Sequence, residues 1–280
     1  MFKSISRSLK NQRSEVPKHA FILMVLFFAF FPLYMILNIS LKTNDQFFND
    51  PLTPTFPYHW ENWVYGWKQV SGSIYVTIFL SFTSTAFNLT VSLCAAYFFG
   101  RYKMPGGRLF FMLFLMQMFI PGVVNLIPLF ALLRELHMIG TFAGVIIPAT
   151  AGAQVIAIYL LRNFIEDIPQ DLFDSAQMDG ASDLRQIVHI VIPMCTPIIV
   201  TVAILDFINH WNDFVLPLVV LGREELYPIG VRLYQLDGVN LKQWGPMMAT
   251  YIIAAIPLII LFIFGMRVFV RGIGTGAIKG

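Results

Sequence analysis

Charge-free runs divide the chain: residues 19–41, 69–100, 109–133, 136–161, 186–205 and 243–266 contain no Asp, Glu, Lys or Arg. Each is close to or above the ~20 residues that a helix needs to cross the hydrocarbon of a bilayer. Stretches such as AFILMVLFFAFF and PLIILFIFG are apolar at every position, whereas a membrane-spanning β-strand alternates apolar and polar residues over ~10 positions. The pattern predicts an all-α integral membrane protein with six transmembrane helices, because a helix satisfies its own backbone groups where no water reaches.

The interruptions are as regular as the runs. Pro105, Gly106 and Gly107 mark a tight turn between the second and third spans. Pro121, Gly122 and Pro128 interrupt the third, which reads either as a kinked packing helix or as a break lining a cavity. The fourth carries Gly144, Ala149, Ala151, Gly152 and Ala153, small residues that let membrane helices approach closely. The fifth is expected from about Pro197 to Leu221. Between the first two spans, Trp60, Trp63, Tyr65 and Trp67 fit an interfacial aromatic belt, with partner contact as the other reading.

Charge orients the bundle. The N-terminal tail, the 101–108 turn, the 162–185 segment and the C-terminal tail hold 13 of the 19 Lys and Arg residues. By the positive-inside rule both termini are cytoplasmic, with 1–18 and 271–280 as tails of a transmembrane domain over 19–270. No cleavable leader is evident. The net charge of +3 is accounted for by these topology-setting residues and requires no nucleic-acid partner. Cys94 and Cys195 fall on different spans, which disfavours a disulfide framework.

One segment does not belong in lipid. Residues 166–185 include Glu166, Asp167, Asp171, Asp174, Asp179 and Asp183, each costing ~2.5–3.5 kcal/mol at the centre of a membrane helix. Phe173, Ala176, Gly180, Leu184, Ile187, Val188 and Val191 recur at steps of three and four, which places them on one helical face, with Asp179, Ser182, Gln186 and His189 on the other. Asp179-Gly180 predicts a turn between two short helices, the second capped by Ser182. A helix lying on lipid is basic on its polar face. This one is acidic, so its partner is expected to be a protein.

The order Asp174-Ser175-Ala176, then Gly180, then nine residues to Ile190-Val191-Ile192-Pro193 resembles the EAA signature of ABC importer permeases. Asp174 stands where glutamate is usual and Ser175 where the first alanine is, which leaves the ion pair at position 174 open. RLFFMLFLMQMFIPGVVNLIPLFALLRELHMIGT, FINHWNDFVLPL, QWGPMMATYIIAAIP and FVRGIGTGAIKG extend the resemblance to the maltose-type carbohydrate-uptake permeases, and specifically to their shorter, six-span member.

The resemblance implies a type I ABC importer transmembrane fold in the bacterial cytoplasmic (inner) membrane, with a cytoplasmic coupling helix at about 166–195. It also implies a second homologous permease, two ATPase subunits, an extracytoplasmic solute-binding protein and a carbohydrate substrate, a di- or oligosaccharide. Asp174, Ser175, Ala176, Asp179, Gly180, Ile190 and Pro193 would dock the ATPase, and Gly276, Ala277 and Lys279 of the tail would touch it. The loop 223–246, with Tyr227, Tyr234, Gln235 and Trp244, would reach the binding protein or remain plainly solvated. A noncarbohydrate cargo such as a glycerophosphate or polyamine is the alternative, and an ion-coupled secondary transporter a further one, for which no internal repeat is visible.

No nucleophile with its base is discernible, and the five histidines are scattered, so neither catalysis nor a metal site is expected. GTGAIKG lacks the spacing of a phosphate-binding loop. The chain is expected to bind no cofactor itself, with ATP and Mg held by the partner ATPase. Asp206 and Asp213 fall inside the expected fifth span, where an acid is a functional candidate by default. With Asn209, Trp211 and Asn212 they form a polar, aromatic strip suited either to sugar hydroxyls and rings along a translocation path or to bonds with neighbouring helices.

Overall fold

The computed structural model describes residues 2–239 and 243–277, with side chains from 17 to 238 and from 243 to 265. The elements are α1 (Phe2–Ser40), α2 (Asn44–Asn49), α3 (Glu61–Arg101), α4 (Gly107–Met116), α5 (Leu126–Glu135), α6 (Ala143–Glu166), α7 (Gln170–Met178), α8 (Asp183–Gln186), α9 (Ile192–Asn212), α10 (Val215–Leu221), α11 (Ile229–Val239) and α12 (Trp244–Ala277). No strand occurs among the described residues.

Among those residues, five helices are long and apolar enough to cross a membrane: Pro17–Ser40, Glu61–Arg101, Ala143–Glu166, Asp183–Asn212 and Trp244–Gly265. A sixth span requires Gly107–Phe119 and Gly122–Glu135 to act as one, and these meet at 90°. The break falls at Ile120 and Pro121, both extended, because proline disfavours helix in the residue before it and supplies no N–H. The fifth apolar run departs from expectation. Its helix stops at Asn212, Asp213 is extended, and Val215–Leu221 is a separate helix.

The chain divides into two compact units, Met1–Gln69 with Leu236–Ala254, and Val70–Gln235 with Ala255–Gly280. In the first, α1 is exposed from residue 17 to 34. Past its end the fully buried Lys42 donates from Nζ to the carbonyls of Asp50 and Thr53, which ties down the 50–53 loop. Asn62 donates to the carbonyls of Ser40 and Lys42, each at 3.0 Å, and the Trp244 N–H donates to Asn44 Oδ1 at 2.9 Å. Trp60 and Trp67 project outward, while Trp63 turns in to bond Ser40 Oγ.

In the second unit, one apolar cluster joins Ala96 and Tyr97 of α3, Phe111 of α4, Leu161 and Ile165 of α6, Phe173 of α7, and Val191, Cys195 and Ile198 toward and along α9. Another joins Leu80, Leu133, Val145, Val220 and Leu221. Because lipid gives helices no hydrophobic reason to associate, close approach at small residues matters. Gly144 faces the Met138 carbonyl with no room for a β-carbon, whereas Ala151 and Gly152 of the same helix are exposed.

Candidate functional site

The acidic segment folds as a pair of short helices hung on the end of α3. After α6 stops at Glu166, Ile168 is buried and Pro169, at φ −54° and ψ 133°, breaks the helix before α7 begins at Gln170. Asp171 sits in the first turn, where the helix dipole favours a negative charge. Helix α7 ends in a Schellman motif: the Ala181 N–H donates to the Ala176 carbonyl at 2.9 Å, and the Gly180 N–H to that of Gln177 at 3.0 Å. Gly180 takes φ +75°, which explains a glycine there. The predicted turn at Asp179-Gly180 is present, but Ser182 caps α8 without a side-chain hydrogen bond.

Phe173 is fully buried and pegs α7 into the core, with the Arg101 guanidinium carbon 3.6 Å above its ring centroid. Arg101 Nη1 donates to Gln170 Oε1, and Gln170 Nε2 donates to Asp174 Oδ1 at 2.8 Å. On α8, Asp183 Oδ1 accepts from the Tyr102 hydroxyl at 2.8 Å and from the Tyr97 hydroxyl at 3.0 Å. Tyr97 also lies 3.0 Å from Gln186 Oε1, and Gln186 Nε2 donates to the Ala181 carbonyl at 3.2 Å. The bond to the Asp183 carboxylate holds the Tyr102 pKa above the ordinary tyrosine value. Residues 187–191 then form a π turn before α9 begins at Ile192, a local widening that recurs at functional sites.

Of the expected docking residues, Asp174, Ser175, Asp179, Gly180 and Pro193 are exposed, while Ala176 and Ile190 are half-buried. The expected apolar face holds only in part. Phe173, Ile187 and Val191 are buried, but Leu184 and Val188 are exposed, and Gln186, expected on the polar face, is 1% exposed. Met178, at 89% exposed, joins Leu172 and Leu184 as apolar residues offered to solvent beside the acids. Such a mixture suits docking to protein.

The strip at the end of α9 is split. Asp206 and Trp211 are buried, Asn209 and Asn212 are exposed, and Asp213 is half-buried outside the helix, which corrects its expected place within a span. Asp206 Oδ1 lies 3.4 Å from His210 Nε2, an ion-pair distance without hydrogen-bond alignment, and Asp206 Oδ2 has no partner. Asn212 Nδ2 bonds back to the Ile208 carbonyl at 2.9 Å. His210 and Asp213 share a small cleft with Thr77, Ser84, Val145 and Ala149. The strip is therefore not one continuous lining.

The expected loop 223–246 contains α11. Tyr234 is 62% exposed and packs on Phe214 at 5.0 Å between ring centroids, and Tyr227 and Gln235 are half-buried. Trp244 opens α12 and does not belong to a loop. Gly276 and Ala277 end the same helix, but their surroundings, like Lys279 itself, lie outside the described residues.

Sequence reasoning missed Tyr97, Tyr102 and Gln186, and took Arg101 for topology alone. It also missed a buried polar stripe on α3: Ser73, Thr77, Ser81, Ser84, Asn88 and Ser92. The signal was present in the three- and four-residue spacing of these groups. Thr77 Oγ1 accepts from the Ile229 N–H at 2.7 Å, and Thr150 reaches the Ser84 carbonyl at 3.5 Å.

A family model described as binding-protein-dependent transport system inner membrane component matches residues 88–275. The arabinooligosaccharides transport system permease protein of Bacillus subtilis is 29% identical over 272 residues, covering 93% of this chain and 94% of its own. The sulfoquinovosyl glycerol transport system permease protein of Agrobacterium fabrum is 30% identical over 257 residues, covering 89% of each. Among solved structures, a chain of a bacterial ABC transporter involved in the import of the acidic polysaccharide alginate superposes with TM-score 0.81 at 21% identity, over 92% of this chain and 97% of that one. The last likeness is one of fold.

Proposed function

The chain belongs to the family of binding-protein-dependent transport system inner membrane components, and from that premise we propose that it is the transmembrane permease subunit of an ABC importer for a di- or oligosaccharide. The arabinooligosaccharide relative, similar over nearly its whole length, supports the cargo class. Both termini lie in the cytoplasm, as the Lys/Arg distribution favours. The complex comprises this chain, a second permease, two ATPase subunits that bind ATP and Mg, and an external binding protein.

The observation that carries the reading is the exposed, acidic and apolar α7–α8 pair, which is fixed to the bundle through Phe173 and Asp183. Asp174, Ser175, Asp179 and Gly180 face the ATPase. Closure of the ATPases on ATP displaces the pair as a body and tilts the spans between outward- and inward-open arrangements, a two-state rocking. Asp206, Trp211 and Asp213 shape the path from within the subunit, while Asn209 and Asn212 are placed to meet cargo or the second permease.

The test is reconstitution of the complex in lipid with its binding protein, followed by ATP hydrolysis and uptake across a panel of sugars, glycerophosphates and polyamines. Stimulation and uptake confined to saccharides are expected. Stimulation by a noncarbohydrate alone overturns the cargo, and purification without any nucleotide-hydrolysing subunit overturns the importer.

A further inference from the structure

The end of α3 and the residue that follows it grip both helices of the acidic segment. Tyr97 and Arg101 are one turn apart on α3 and so neighbour one another, while Tyr102 follows directly after the helix ends. Arg101 engages α7 through the Phe173 ring and Gln170, and Gln170 in turn holds Asp174. Tyr97 and Tyr102 engage α8 through Asp183 and Gln186. The Tyr97 ring also packs 6.3 Å from that of Phe173 and 6.2 Å from that of Tyr102.

The two kinds of contact do different things. Burial of Phe173 is non-directional and leaves α7 free to pivot about its peg. Hydrogen bonds fix direction, since they weaken steeply away from linear geometry. Without them the pair is joined to the bundle by the helix break at Pro169 on one side and the π turn at 187–191 on the other. A push on the exposed acids would then be absorbed by rotation at those joints.

We propose that Tyr97, Arg101 and Tyr102 are positioning residues that bind the 170–186 segment to α3, so that displacement of the segment is delivered to that span. The inference rests on the importer reading above. Tyr97 has one hydroxyl proton for two acceptors, Asp183 and Gln186, so the latch can shift between neighbouring partners on α8 without coming apart. The acceptors are what matter; the charge of Asp183 is dispensable.

The experiment uses the whole reconstituted complex and reads assembly, ATP hydrolysis and solute imported per ATP. The double variant Tyr97→Phe with Tyr102→Phe keeps the ring at 97 against Phe173 and the ring at 102 against that at 97. It should assemble normally and hydrolyse ATP within about twofold of the parent, while import per ATP falls by about fivefold or more, since two hydrogen bonds to a carboxylate are lost and one ordinary bond alone is worth about that factor. Asp183→Asn keeps the acceptor and should import as the parent does; Asp183→Leu should fall with the double variant. Parental import per ATP in the double variant overturns the proposal. So does loss of its ATPase subunits, which would make the hydroxyls docking determinants, and so does an Asp183→Asn defect as deep as that of Asp183→Leu. A parent complex that no loaded binding protein stimulates overturns the importer reading instead.

Discussion

Gly245, at the start of α12, lies against the carbonyl oxygen of Lys42 so closely that no β-carbon fits between them, and Asn62 Nδ2 closes the same space. Neither neighbour is the yielding end of a flexible side chain, because Asn62 is committed to the carbonyls of Ser40 and Lys42. Gly245→Ala should therefore destabilise the first unit by about 1–3 kcal/mol, the usual cost of overpacking. A lowered midpoint in thermal unfolding of the detergent-solubilised protein checks this; an unchanged midpoint refutes it.

Lys42 organises the loop that follows α1. Lys42→Met keeps the apolar stem but leaves the Asp50 and Thr53 carbonyls without their charged donor, a loss of order 1–3 kcal/mol. Limited proteolysis should show faster cleavage between residues 50 and 58, with cleavage elsewhere unchanged.

Gly180 separates strain from contact. Its φ of +75° penalises any side chain, yet nothing lies within 4 Å of a β-carbon there. Gly180→Ala and Gly180→Leu thus share a backbone cost of about 1–2 kcal/mol, and differ mainly in what Leu projects outward. Both should insert into membranes. Only the Leu variant should uncouple ATP hydrolysis from uptake; equal uptake by the two would mean that nothing docks over this turn.

The raised pKa of Tyr102 fixes a pH window. Its neutral form donates to Asp183, so that contribution is complete below the ordinary tyrosine value of about 10 and is lost as pH climbs through the higher folded value. Ultraviolet difference titration of the parent against Tyr102→Phe should show the missing phenol ionising above about pH 10. Ionisation at or below that point would mean that the hydroxyl does not face the carboxylate.

What could be read from residues alone followed the reach of each interaction. The spans were legible because lipid selects apolar residues position by position, and the Gly180 turn because a positive φ selects glycine. The break at Pro121 was legible as well, from proline and glycine within an apolar run, but the end of the fifth span was not, since a continuous helix could also carry the polar strip at which the chain stops at Asn212. The buried face of 173–191 was misassigned at Leu184, Val188 and Gln186, because a wheel drawn at constant pitch crosses a glycine turn and a π turn, each of which resets its phase. The pairing of Tyr97 with Gln186 joins positions 89 residues apart, and no local spacing announces it.

The π turn at Ile187–Val191 accommodates one residue more than an ordinary helical turn. Deleting a single residue there would let the ladder close as regular helix with little change of phase, whereas deleting one from the regular helix beyond it would swing the chain ahead of the deletion by about 100° around the helix axis. Asp183 would leave its tyrosines and the acidic face would present a different compass bearing. The number of residues between the handle and the span, more than their composition, sets the direction in which the subunit offers it.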